Sequence, residues 1–289
     1  RGRTHPPARN PRRPLIPMIP AANNLLGNGM LCAVDNSFPC PTPVASPPPG
    51  DGVCAALDTS CGAAFAVRNP TGDVEHGYLP LQGRDSDRNL VPWLLDLLAR
   101  AGISSPATVP RWTVGTGPGS FSGLRVGIAF IEGVCAVSGA LYRGLPSSLA
   151  AAAALTDITQ PGERIGVLHD ARRGQVIFSC YLRTPAGFQA VAAATVLAPE
   201  ELEDSAGCCH FLVSPHAATV TPLVPEALRN RVHAIERIDA RHLLATPGWP
   251  WTTTPREGNS SCEPVYVRPA VFVDPRPASP LATGQLPPL

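Results

Sequence analysis

The sequence predicts an α/β protein in which a hairpin-led sheet opens each of two lobes. Three observations carry that expectation. Short apolar runs bounded by turn formers alternate with stretches of helical spacing. The order strand, aspartate, turn, strand occurs twice, at Asp58 and again at Asp170. Hydrophobic residues make up 44% of the 289 residues and charged ones 16%, enough apolar side chain to fill a sizeable core.

Residues 1–50 stand apart. They hold twelve prolines and five arginines against one acid, Asp35, which predicts a disordered extension with at most a short strand near Leu31–Val34. Regular structure begins after them. Apolar strands are expected over 53–57, ending in Asp58-Thr59-Ser60, over 61–67, and over 74–79, with turn chemistry in Asn69-Pro-Thr-Gly72. Leu90, Trp93, Leu94, Leu97 and Leu98 recur at helical spacing over 89–100, and Gly102 follows as a C-terminal cap. A strand over 112–114 leads into Gly115-Thr-Gly-Pro-Gly119 and a helix over 122–138. A third helix over 147–155 has Ser147 or Ser148 as its cap.

Pro161-Gly162 marks the break between a first lobe, 51–160, and a second, smaller lobe, 161–270, before a loose tail, 271–289. The second lobe opens with strands over 165–168 and 175–182 around a turn at 170–174. A helix over 199–204, a strand over 210–213 and a helix around 234–244 follow. Residues 264–268 read as extended.

Composition narrows the function classes. Twenty-three basic residues, all arginine, face 22 acidic ones, a net charge of +1, which argues against a dedicated nucleic-acid or polybasic membrane surface. The nine cysteines include one tight pair, Cys208–Cys209, without the spacing of a zinc knuckle or a redox loop, and the seven histidines include no i,i+4 pair. The expectation is a cytoplasmic protein with small buried thiols, no metal and no membrane span.

The sharpest motif is the loop of Gly115, Gly117, Pro118, Gly119 and Ser120. Its glycines place backbone N–H groups near a helix start, which suits an anion, yet it is neither a Walker loop nor a dinucleotide fingerprint. Gly119, Gly123 and Gly127 fall four apart and equally suit close packing. From spacing alone both readings stand.

This loop continues as Gly117-Pro-Gly-Ser-Phe-Ser-Gly-Leu-Arg-Val-Gly127. With Leu57-Asp-Thr-Ser60, Gly83-Arg-Asp-Ser86, Leu90-Val-Pro92, Asp170-Ala-Arg-Arg-Gly-Gln-Val176 and Pro264-Val-Tyr-Val-Arg268, it resembles the TsaB (YeaZ) family over about residues 53–270. The resemblance implies an actin-like (ribonuclease-H-like) two-lobe fold with a reduced second lobe. It also implies a non-catalytic partner of TsaD (Gcp), joined by TsaE, in making threonylcarbamoyladenosine at position 37 of tRNAs reading codons that begin with A. ATP and a divalent metal are then expected on TsaD and TsaE, and this chain needs no cofactor.

Residue by residue, the resemblance makes Asp58, Thr59, Ser60 and Asp170 a vestigial or weak nucleotide site, although both carboxylates could simply bond local turn amides. The His-x-x-x-His metal pair of TsaD-type enzymes has no counterpart in Gly144-Leu-Pro-Ser-Ser-Leu-Ala-Ala-Ala-Ala153. Asp85 stands where relatives commonly have histidine, and Pro146 where they have valine. Leu90, Trp93, Leu94, Leu97, Gly119, Gly123, Gly127 and Ile131 are expected to form the partner interface, with TsaD or with a second copy of the chain. Arg125 is expected to be buried or interfacial, and Trp93 is equally well explained as core. The competing class is an enzyme in its own right, a metallopeptidase or nucleotide hydrolase. Against it, the sequence holds no His-Glu-x-x-His and no Gly-x-Ser-x-Gly.

Overall fold

The computed structural model describes residues 52–80, 86–244 and 262–267. The front extension, the strand expected near residue 31, Gly83 to Asp85, Arg268 and the tail lie outside the described residues.

The first sheet contains β1 (Cys54–Asp58), β2 (Ala63–Arg68), β3 (Val74–Leu79), β4 (Arg111–Gly115) and β5 (Leu141–Leu145), in the order β3-β2-β1-β4-β5. β1, β2 and β3 pair antiparallel, whereas β4 and β5 continue from β1 in parallel. The turn between β2 and β3 forms because Asn69 Oδ1 accepts the backbone N–H groups of Thr71 at 3.0 Å and Asp73 at 2.9 Å.

Helix α1 (Ser86–Arg100) connects β3 to β4 and begins a turn earlier than its apolar spacing suggests, since Ser86, Asp87 and Arg88 are polar and carry no period. It ends as expected. Gly102 has φ of +76°, its N–H reaches the Ala99 carbonyl at 3.0 Å, and the Ile103 N–H reaches that of Leu98 at 2.8 Å. Helix α2 (Phe121–Ser138) follows β4, and the short α3 (Ser147–Ala153) follows β5.

The second sheet repeats the first. β6 (Arg164–Asp170), β7 (Val176–Thr184), β8 (Gly187–Leu197), β9 (Phe211–Ser214) and β10 (Val232–Ala234) lie in the order β10-β9-β6-β7-β8. Its first three strands are antiparallel and its last two parallel, as in the first sheet. Asp58 and Asp170 therefore end equivalent strands. A smaller second sheet was expected, but each sheet has five strands. The reduction lies in the helices: α4 (Leu202–Ala206), α5 (Ala217–Val220) and α6 (Glu226–Arg229) have five, four and four residues, against 15 in α1 and 18 in α2. The helix expected around 234–244 is instead β10, a turn and the four-residue α7 (Arg241–Leu244).

Three core clusters fill the spaces. α1 and α2 pack on one face of the first sheet around Leu57, Phe65, Leu94, Trp112 and Ile131. α3, α7 and facing strands of both sheets share Ala56, Leu145, Leu149, Ile165, Val167 and Tyr181. α4 to α6 cover the far face of the second sheet around Leu168, Val176, Leu212 and Val220. Each fully buried leucine or isoleucine contributes roughly 1.5–3 kcal/mol.

Candidate functional site

The carboxylate turn and the glycine-rich loop meet at the ends of β1 and β4. Asp58 is fully buried. Its Oδ1 accepts the Ser60 N–H at 2.9 Å and the Ser60 hydroxyl at 2.5 Å, while Oδ2 accepts the Ser147 hydroxyl. Burial pushes this carboxyl up, and the hydrogen bonds from Ser147 and Ser60 oppose the shift.

Ser147 does not cap α3, as its position suggested. Its hydroxyl is committed to Asp58 and also accepts the Gly117 N–H at 2.9 Å, and its own N–H donates to the Gly117 carbonyl at 2.7 Å. One serine thereby clamps loop and carboxylate together. Pro146 occupies the cap position without a side-chain bond.

Two glycines of the loop cannot carry side chains without strain or displacement. A Cβ on Gly115 would lie 1.8 Å from Asp58 Oδ2, and Gly117 has φ of +102° before the cis bond to Pro118. Its donors face inward: Thr116 N–H reaches the Leu145 carbonyl and Ser120 N–H the Ser60 carbonyl, both at 2.8 Å. Ser120 caps α2 by accepting the Gly123 N–H at 3.2 Å. Of the two readings of the loop, this geometry favours packing over an anion cradle.

The glycine stripe is used in the same way. A Cβ on Gly119 would lie 2.5 Å from Ser60, one on Gly123 2.3 Å from the Thr59 carbonyl oxygen, and one on Gly127 2.3 Å from Thr59 Oγ1. The close approach is made by the chain's own turn. Leu90, Leu94, Leu97 and Ile131 are likewise buried in the first-lobe core, and half-buried Trp93 packs edge-on to Phe65 at 6.4 Å. Of the expected interface set, Leu90, Leu94, Leu97, Gly127 and Ile131 are covered from within the chain, whereas Gly119 is exposed and Gly123 and Trp93 are half-buried.

Asp170 is held differently. The Arg172 N–H donates to its Oδ1 at 2.7 Å, and the Arg172 guanidinium lies 3.2 Å from Oδ2. Arg172, Arg173 and Gly174 follow in left-handed conformation, with φ of 65°, 56° and 72°. The Asp170 N–H points to His216 Nδ1 at 3.4 Å, and His216 Nε2 lies 3.7 Å from Cys61 Sγ, a contact between the two lobes. Burial lowers the His216 pKa and pushes the Cys61 thiol up to about 12, so neither group is poised as an ion pair. Spacing alone gave no sign of this cysteine–histidine contact, because its partners are 155 residues apart.

Ser147 holds Asp58 and Ser148 bonds the Tyr181 hydroxyl at 2.7 Å. Among the described residues, no three His, Cys, Asp or Glu side chains converge as metal ligands. Arg125, expected to be buried or interfacial, is exposed. Its guanidinium lies 3.8 Å over the Phe121 ring, and its Nε donates to the Tyr266 hydroxyl at 3.1 Å. Tyr266 arrives with a segment whose Val265 N–H donates to the Thr116 carbonyl at 2.8 Å.

The chain is similar to several known proteins. The family described as TsaD, tRNA N6-adenosine threonylcarbamoyltransferase, matches residues 79–207. The tRNA threonylcarbamoyladenosine biosynthesis protein TsaB of Haemophilus influenzae is 32% identical over 129 residues, which are 44% of this chain and 53% of that protein. The chain thus spans about half the length of this curated relative. YeaZ from Pseudomonas aeruginosa superposes with a TM-score of 0.59 at 22% identity, covering 74% of this chain and 99% of that one. An uncharacterised P. aeruginosa protein with similarity to peptidase YeaZ gives 0.60 at 23%, over 75% and 100%. These likenesses carry the actin-like, ribonuclease-H-like fold, and over the matched residues the chain is similar to TsaB and to the TsaD family.

Proposed function

We propose that the chain is a non-catalytic partner of TsaD (Gcp) in forming N6-threonylcarbamoyladenosine at position 37 of tRNAs that read codons beginning with A. The observation that carries this reading is the outward face of α1 and α2. Val91 and Leu95 are 41% and 42% exposed on α1, and Phe121 and Val137 are 53% and 87% exposed at the two ends of α2. Ala129, Gly133 and Ala136 are exposed between them. Helix α2 is 18 residues long with a mean hydropathy of 1.5, enough by length and composition to cross a membrane, yet only 28% of it is buried. Its inner side packs on the sheet through Leu124, Gly127, Ile128, Ile131 and Cys135. An apolar, small-residue outer side suits a second pair of helices.

The site chemistry supports the same reading. Asp58, Asp170 and the Thr116, Gly117 and Ser120 N–H groups are bonded within the chain, which supports assigning ATP, the divalent metal and the transfer step to TsaD and TsaE. The tRNA is engaged through that cytoplasmic complex. A second copy of the chain would compete for the helix face.

Co-expression with the cognate TsaD, followed by size-exclusion chromatography and a threonylcarbamoylation assay, tests the proposal. The expected result is co-elution, with modification that needs both proteins. A chain that elutes apart from TsaD, or a TsaD that modifies tRNA equally fast without it, overturns it.

A further inference from the structure

Three sulfurs gather beside the central strands of the second sheet, far in sequence from the Asp58 turn. Cys180 on β7 and Cys209 before β9 are buried, with Sγ atoms 3.8 Å apart. The pair meets across a glycine. Gly166 on β6 is the register partner of both Cys180 and Leu212, and a Cβ there would lie 3.2 Å from Cys209 Sγ. Cys209 is the next residue along the chain from Cys208, whose thiol donates to the Ser205 carbonyl at 3.9 Å. Cys208 is exposed, and the Arg164 guanidinium donates to its sulfur at 3.5 Å. Cys208 and Cys209 line an open cleft of about 460 Å³ with Glu163, His210, Phe211 and Arg231. The hydrogen bond from Cys209 holds the Cys180 thiol below its usual range and Cys209 above it.

We infer that these residues form a peroxide-responsive thiol relay, in which exposed Cys208 takes the oxidant and passes the oxidation inward to a Cys180–Cys209 disulfide. The Cys208 sulfur attacks a peroxide oxygen, the O–O bond breaks, and one water leaves, giving a sulfenic acid. Cys209 then attacks the Cys208 sulfur. The S–O bond breaks, and the oxygen departs as a second water with the Cys209 proton. The resulting link between adjacent residues is a strained ring, and strained links exchange readily. Cys180 attacks the Cys209 sulfur, and Cys208 leaves as a thiolate that takes the Cys180 proton. Hydrogen peroxide is reduced to two waters, two thiols become one disulfide, and Cys208 is restored. Closing the bond needs each buried sulfur to move by roughly 1 Å toward the usual separation of about 2.05 Å. Arg164 supplies the positive charge beside the entry sulfur. The inference is independent of the role with TsaD.

Peptide mapping of the full chain tests it directly. Cleavage after arginine leaves Cys180 in residues 174–183 and the adjacent pair in residues 184–229, so the two links are distinguishable by mass. The chain is treated with hydrogen peroxide, trapped with N-ethylmaleimide and digested with and without reduction. The expected product is the joined pair of peptides, released by reduction. Cys208→Ser should form it at least tenfold more slowly, and Cys180→Ser should stop at a link internal to 184–229. Circular dichroism before treatment confirms that each variant is folded. If the wild-type chain accumulates Cys208 sulfinic or sulfonic acid while Cys180 and Cys209 remain thiols, the relay is overturned. Joining at the parent rate in folded Cys208→Ser overturns the entry role.

Discussion

Asp58 and Asp170 end equivalent strands in two copies of one sheet order, yet their carboxylates are held in opposite ways. Asp58 is sealed under two serine hydroxyls, and Asp170 is bonded to the arginine of its own turn. The first arrangement locks a loop in place. The second leaves a partly exposed carboxylate beside the inter-lobe contact of His216 and Cys61.

Ser147→Ala should destabilise the folded chain by about 1–3 kcal/mol, because it strips both Asp58 Oδ2 and the Gly117 N–H of a buried partner. Urea denaturation of the parent and variant checks this through the transition midpoint. An unchanged midpoint would mean that water replaces the hydroxyl without loss.

Gly127→Leu is a probe of stability, since the expected interface glycine lies against the chain's own Thr59. Even the first carbon of the new side chain meets Thr59 Oγ1 at 2.3 Å. Overpacking of about 1–3 kcal/mol is expected in the isolated chain, read as a lowered thermal midpoint in the absence of any partner.

Val137→Asp should behave in the opposite manner. Val137 is 87% exposed, so the isolated chain should keep its thermal midpoint within error. Association with TsaD should weaken at least tenfold, about 1.4 kcal/mol, measured by calorimetric titration. Equal affinity would move the interface off this end of α2.

Acid should weaken the second lobe through His169. The ring is fully buried, neither ring nitrogen has a hydrogen-bond partner among the described residues, and burial together with the neighbouring His216 holds its pKa down to about 3. Between that value and the ordinary 6.5, the unfolded chain binds a proton that the folded chain refuses. Stability from this residue is therefore complete above about pH 6.5 and falls as pH drops, by up to about 1.4 kcal/mol per pH unit. His169→Phe should flatten that part of the stability profile, as denaturation midpoints from pH 4 to 7 would show.

Legibility in the sequence followed the strength of the local pattern. β1 to β3, α1 and α2 were readable because large apolar residues recur at a clear period between turn formers. β8 was not, since Gly187–Leu197 is rich in alanine and mostly half-buried or exposed, so neither face is marked by large side chains. The spacing of Ile235, Ile238 and Leu243 imitates a helix. Pairing of β10 with β9, and the Asp239 carboxylate accepting the Arg241 N–H at 2.9 Å, divide that stretch instead. At the site, the glycines were visible but not what they approach. Whether a bare stripe faces a partner or the chain's own Thr59 depends on contacts that no spacing encodes. Ser147 was visible as a serine at a helix start, and its commitment to a carboxylate 89 residues away was not.

Several contacts join the two lobes directly, and residues 262–267 pack on the first lobe. Cys262 is buried in the first-lobe core, and Val265 is bonded to Thr116 in the glycine-rich loop. Arg143 on β5 also reaches the Leu243 carbonyl on α7 at 3.4 Å. Swinging the lobes apart at the two aspartates would strain these ties together with the Cys61–His216 contact. For these described contacts, sliding of packed layers by small amounts costs less than opening like a jaw.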